Sequence, residues 1–185
     1  MAAAAATALI VGGVAAYAHS GATGIYKERM DSMMAMGAVI KSMSEMMRGE
    51  VEYDEAAVEE GARVIKSHAG DTMTELFPEG TTEAPSEARP EIWSDWETFQ
   101  RLAKQLQTYA AGLEAAAGNG LAATDASETS MMGGSSMMGD SNSMMGSSRS
   151  EKSAEELAAM PADEVFGLVA QSCSSCHTKF RLEKN

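Results

Sequence analysis

Apolar side chains recur at three- and four-residue steps along most of the chain, and no stretch shows the alternation of a strand. From Ile25 to Arg48 the repeating positions are Met33, Met36, Ile40, Met43 and Met47. Lys27, Glu28, Asp31, Lys41 and Glu45 fall largely elsewhere on this predicted helix, and Gly49 ends it. A second helix is predicted from Asp54, a good N-cap, with Val58, Ala62 and Ile65 on one face. Leu76 and Phe77 follow, then a loop with Pro78, Gly80 and Pro85. A third helix is predicted from about Pro90 through Trp93, Phe99, Leu102, Leu106 and Leu113 to Gly118. The last helix begins at Ser153 and Glu156, which have capping-box spacing, and restarts at Pro161; Val165, Leu168 and Val169 face inward. Four amphipathic helices with one long connection predict an all-α, antiparallel four-helix bundle.

Two segments break the periodicity. Residues 2–18 carry no charge and end in Ala16-Tyr17-Ala18, a small-x-small cleavage pattern. This reads as a signal peptide over residues 1–18, cleaved after Ala18, with the bundle on 19–185. An uncleaved anchor is the alternative, but the run contains two adjacent glycines and falls short of the roughly 20 residues needed to span a bilayer. Between about 127 and 150 lies a low-complexity insertion: of residues 127–148, eighteen of 22 are Ser, Met or Gly. Such a composition offers no continuous face to bury.

Composition narrows the chemistry. With 14 Lys and Arg against 27 Asp and Glu the net charge is −13, which argues against nucleic-acid binding. Aromatics are few, at 5%. Methionine is abundant, at 16 of 185 residues, and two cysteines cannot build a disulfide framework.

Those two cysteines form the sharpest motif, Cys173-Ser174-Ser175-Cys176-His177. Thiols three apart lie on neighbouring helical positions, so both can reach the vinyl groups of one porphyrin while His177 offers a nitrogen to the iron. A redox pair would normally open a helix after a strand, where the dipole lowers the thiol pKa; this one closes a helix. A structural zinc site would need further ligands, and only His19 and His68 remain, the first at the presumed cleavage point and the second a simple surface cap. One covalent haem c, and an exported, periplasmic protein, follow from the motif and the leader.

The run Cys-x-x-Cys-His-x-x-Phe-Arg from Cys173 to Arg181, on the last helix of a bundle, resembles the cytochrome c-prime family, the class II c-type cytochromes. Tyr26-Lys27-Glu28-Arg29, Leu76-Phe77-Pro78-Glu79-Gly80-Thr81 and Ala88-Arg89-Pro90-Glu91-Ile92-Trp93 resemble its first helix and the segments around its second loop. The Met-rich insertion departs from the family pattern. The resemblance to low-spin, His/Met-ligated members implies Met33, one turn beyond Arg29, as the distal iron ligand opposite His177. It also implies Arg29 near a haem propionate, Phe77 on the haem edge and Arg181 beside the proximal ligand. Core packing is the competing reading for Met33, since seven Met lie on the first helix. Met36, Met43 and Met47 are read as core, with Met30 and Met34 flanking the seam.

The expected function is electron transfer with redox partner proteins, not catalysis. The acidic surface would steer the protein to basic patches on a partner. The first alternative is a five-coordinate haem protein that binds NO or CO. The second draws on the insertion, where Ser-Met-Met-Gly occurs three times, from Ser130, Ser136 and Ser143: its thioethers suit Cu(I). No stable membrane insertion is expected after cleavage. A homodimer through the first two helices is a further expectation from the resemblance.

Overall fold

A computed structural model describes residues 22–122 and 152–183. The leader at 1–18, the Met-rich insertion and the Cu(I) expectation attached to it lie outside the described residues. Four long helices, α1 (Gly24–Met47), α2 (Glu55–His68), α5 (Trp96–Ala116) and α7 (Ala162–Phe180), form an antiparallel bundle. Three short ones sit in the connections: α3 (Asp71–Glu75), α4 (Glu91–Ser94) and α6 (Ala154–Ala158). There is no strand among the described residues.

The local signals act as the sequence suggests. Gly49 stops α1 with φ of +68°, a left-handed conformation that costs glycine little. Asp54 caps α2 by accepting from the Ala57 N–H at 3.1 Å. Ser153 and Glu156 form a complete capping box on α6, and Pro161 opens α7. The predicted third helix differs: it is broken at Asp95, whose φ of −133° and ψ of 51° leave the helical region, so α4 and α5 run separately. Asp95 pairs there with Lys179 of α7, a long-range partner that no helical periodicity reports.

α5 is the central element. It packs on both α2 and α7, and it buries Phe99, Leu102, Leu106, Ala110 and Leu113. The α1 stripe buries Met36, Met43 and Met46, while Met47 is half-buried and Met34 is 63% exposed. Thioether side chains bend into irregular gaps. Met43 does so against Gly61 of α2, where a Cβ would lie 2.9 Å from its sulfur. Gly112 plays the same part between α5 and α6. A Cβ there would stand 2.5 Å from the Cβ of fully buried Leu157.

The Gly112 contact outweighs helix propensity. Replacing Gly112 by Ala improves propensity by about 1 kcal/mol. It also overpacks the Leu157 site, at a cost of about 1–3 kcal/mol. Gly112→Ala is therefore expected to lower the denaturant midpoint of the holoprotein; an unchanged or raised midpoint would contradict this packing account.

Candidate functional site

The attachment motif occupies the last turns of α7, with Cys173, Cys176 and His177 all on that helix. Cys173 is half-buried and packed on the core, while Cys176 and His177 line a cavity of about 660 Å³. That size lies within the roughly 300–1,000 Å³ typical of sites for organic ligands. α1 supplies another wall, with Arg29, Met30, Met33, Met34 and Gly37. Gly37 faces open space: nothing lies within 4 Å of where a Cβ would stand. The floor is aromatic. Phe99 packs edge-on against Phe77 at 5.0 Å and Phe180 at 5.5 Å between ring centroids. Trp96 lies on Phe99 at 5.4 Å.

The third wall comes from the chain between α3 and α4. Phe77, Pro85, Ser86, Glu87 and Ala88 line the cavity. This segment is tied to the end of α7 by an antiparallel bridge between Ala88 and Arg181 and by the Arg89 N–H donating to the Phe180 carbonyl at 2.9 Å. Arg181 also donates through its guanidinium to the Glu87 carboxylate at 2.7 and 2.9 Å. The Trp93 indole N–H donates to the Phe77 carbonyl at 3.0 Å, which fixes α4 to the same segment.

All seven residues singled out in the sequence fall in this region, and six of them line the cavity itself. Met33 is half-buried on the α1 wall, Phe77 is buried, and Arg181 stands exposed at the rim. Arg29 lines the cavity too, and its guanidinium lies 4.2 Å from the centroid of the Phe77 ring. Only Cys173 is set back from the lining. Phe99, an apolar position of the predicted third helix, Phe180, part of the attachment run, and Glu87 also line the cavity, though the sequence assigns none of them to the site. Phe180 is three residues from His177 and so on its helix face, a signal present in the sequence; Glu87 joins the site only because a loop folds back.

The electrostatics suit ligation more than thiol redox chemistry. Burial, then the neighbouring Cys173 thiol, pushes the Cys176 pKa up to about 11, and burial also raises Cys173. Burial and the Arg181 cation push His177 below its usual value, with Glu87 opposing. His177 thus favours the neutral ring, the form that binds a metal. Among the described residues no cluster of three or more His, Cys, Asp or Glu forms a separate metal site.

The donor set fits haem c. Two thiols stand one turn apart beside an imidazole, and a thioether from another helix lines the same apolar space. The family model described as Cytochrome C' matches residues 25–136. The chain belongs to the cytochrome c prime family. The family carries one covalent haem c. The matched span ends before Cys173, so the attachment motif adds its own support.

Solved cytochromes c prime share the fold of this one. The protein from Rhodopseudomonas palustris is 21% identical with a TM-score of 0.60, over 89% of this chain and 100% of that one. A nitric oxide complex of a variant from Alcaligenes xylosoxidans is 23% identical with a TM-score of 0.57, over 86% and 94%. A cytochrome c' described by its ligand-controlled dimer dissociation is 22% identical with a TM-score of 0.58, over 86% and 95%. A comparison with curated sequences gives no match. No helix among the described residues is long and apolar enough to cross a membrane.

A raised thiol pKa extends the pH range over which the neutral thiol persists. With a pKa of about 11, on the order of a thousandth of Cys176 would be thiolate at pH 8 in this cytochrome c prime produced without haem. Its alkylation by iodoacetamide is expected to be slow at pH 8 and to accelerate up to about pH 11. A rate already at its plateau below pH 8.5 would reveal an activated redox thiol instead.

Proposed function

We propose that this cytochrome c prime is an exported electron carrier, not an enzyme, whose haem would be held covalently by Cys173 and Cys176, with His177 and Met33 as the iron's protein ligands. The observation that carries this reading is the shared cavity: Met33 of α1 and the Cys176–His177 pair of α7 line the same space. Haem c, when bound, supplies a one-electron iron couple.

The chain's own residues would do the rest. The thiols of Cys173 and Cys176 would anchor the group to α7, and the neutral His177 ring would offer its nitrogen from that helix. Met33 would offer a soft, uncharged sulfur from α1, and a thioether with an imidazole is a ligand pair that raises the potential of c-type centres. Holding both ligands on packed helices would limit rearrangement between oxidation states. Phe77, Phe99 and Phe180 would exclude water from the buried edge. Arg181, paired with Glu87, would flank the proximal side.

Export to the periplasm is supported by the uncharged leader pattern at residues 2–18 and its Ala16-Tyr17-Ala18 ending. The net charge of −13 supports docking to basic patches on redox partners, with an on-rate that falls as salt rises. Association of two copies is a further part of this reading, supported by the relative whose dimer dissociates under ligand control.

A second reading is an open iron site for NO or CO. It is supported by the relative solved as a nitric oxide complex and by the apolar α1 wall beside Gly37. One experiment separates the two. The ferrous holoprotein is expected to be low-spin and to take up CO only slowly, as Met33 leaves the iron, and Met33→Ala is expected to become high-spin and take up CO rapidly. Rapid CO uptake by the unaltered protein, with no change on substitution, would establish the open site and remove Met33 as a ligand.

A further inference from the structure

Met33 and His177 stand on helices that share few contacts; α1 packs mainly on α2, and α7 mainly on α5. The span between their walls is closed by the segment from Leu76 to Arg89. Its later end is fixed to α7 by backbone pairing: Ala88 bridges Arg181, and the Leu182 N–H donates to the Glu87 carbonyl at 2.8 Å. Its earlier end is tied to α1 through the hydrogen bonds of Arg29.

Arg29 donates through Nε to the Leu76 carbonyl at 2.5 Å and through Nη1 to the Thr81 carbonyl at 2.8 Å and the Ser86 hydroxyl at 3.4 Å. Nη2 donates to the Thr81 hydroxyl. The same guanidinium covers the Phe77 ring and is only 6% exposed. Burial lowers its pKa, the mark of a desolvated cation whose compensation must come from these acceptors. All four hydrogen bonds end in the 76–86 segment, and each acceptor is a neutral oxygen. A planar fork with five donors can serve several acceptors at once, whereas an ammonium on a flexible stem cannot reproduce the fork or the ring stacking.

We propose that Arg29 is a positioning residue for Met33: by clamping the 76–86 segment to α1 one turn ahead of Met33, it sets the separation between the Met33 wall and the His177 wall. The proposal rests on the reading of Met33 as an iron ligand. It assigns the work of Arg29 to its hydrogen-bonding fork rather than to its charge. Lysine at this position keeps the charge and loses the fork. Thr81, which accepts from two of the Arg29 nitrogens and does not line the cavity, reports on the clamp from its other end.

The test compares holoproteins: unaltered, Met33→Ala, Arg29→Lys, Thr81→Val, and the double variant Met33→Ala with Arg29→Lys. Covalent haem content and helicity serve as folding controls. The readouts are the ferric thioether-to-iron charge-transfer absorption and the rate of CO uptake by the ferrous protein. Arg29→Lys and Thr81→Val are expected to weaken the absorption. Arg29→Lys should also speed CO uptake roughly tenfold or more, the scale of one lost charge-assisted hydrogen bond. Thr81→Val should move in the same direction by less, and the double variant should match Met33→Ala alone.

Unaltered absorption and CO uptake in Arg29→Lys and Thr81→Val together would overturn the proposal. So would a double variant much faster than Met33→Ala, because Arg29 would then act without Met33. Should Arg29→Lys fail to incorporate haem, Thr81→Val alone decides, with wild-type behaviour counting against the clamp. An unaltered protein that lacks the absorption and takes up CO as fast as Met33→Ala would overturn the axial reading itself, and the clamp with it. That outcome is recognised from the unaltered arm alone.

Discussion

The cavity depends on keeping α1 and α7 from closing on each other. Helices in contact approach to about 8–10 Å between axes, which leaves room for interleaved side chains only. Here α5 accepts α7 on one side and, through α2, supports α1 on the other. The aromatic cluster around Phe99 fills the base of the gap, and a non-helical segment walls the side. That segment needs anchors at both ends because it has no ladder of its own hydrogen bonds. Backbone pairing to Arg181 supplies one anchor, and a buried guanidinium supplies the other. Burying a cation is costly unless its donors are engaged, so the same interaction that compensates Arg29 also orders the loop.

The α1 methionines show how one residue type can serve two ends. Toward the C-terminal half of α1, Met43 and Met46 are core packing, with Gly61 of α2 making room for the Met43 sulfur. Toward its N-terminal half, Met30, Met33 and Met34 turn to the cavity. The helix is therefore apolar along its length yet divided in role, since the bundle is closed at one level and open at another. Thioethers tolerate both settings: they are flexible enough to pack irregularly and soft enough to bind iron.

Much of this was legible from local chemistry. Asp54, Gly49, the Ser153–Glu156 pair and Pro161 mark helix boundaries because caps and stops act through neighbouring backbone groups. The attachment motif was legible for the same reason, as two thiols for the porphyrin and one imidazole for the iron within five residues. What escaped depends on contacts distant in sequence. The break at Asp95 accompanies a pairing with Lys179, and Glu87 reaches the site through a loop that folds onto the end of α7. Arg29 was singled out as a cation for a propionate by resemblance, whereas its hydrogen bonds to Leu76, Thr81 and Ser86 became visible only once the loop was in place. Short helices such as α3 and α4 carry too few turns to show a period.

The thioether of Met33 and the imidazole of His177 line one cavity, the observation on which the proposed electron carrier rests, and the iron's own ligand sphere is its most direct witness. X-ray absorption at the iron edge of the ferrous holoprotein should show a sulfur scatterer at bonding distance beside the nitrogen shell, and that sulfur should disappear in Met33→Ala. A shell of nitrogen alone in the unaltered protein would contradict the account.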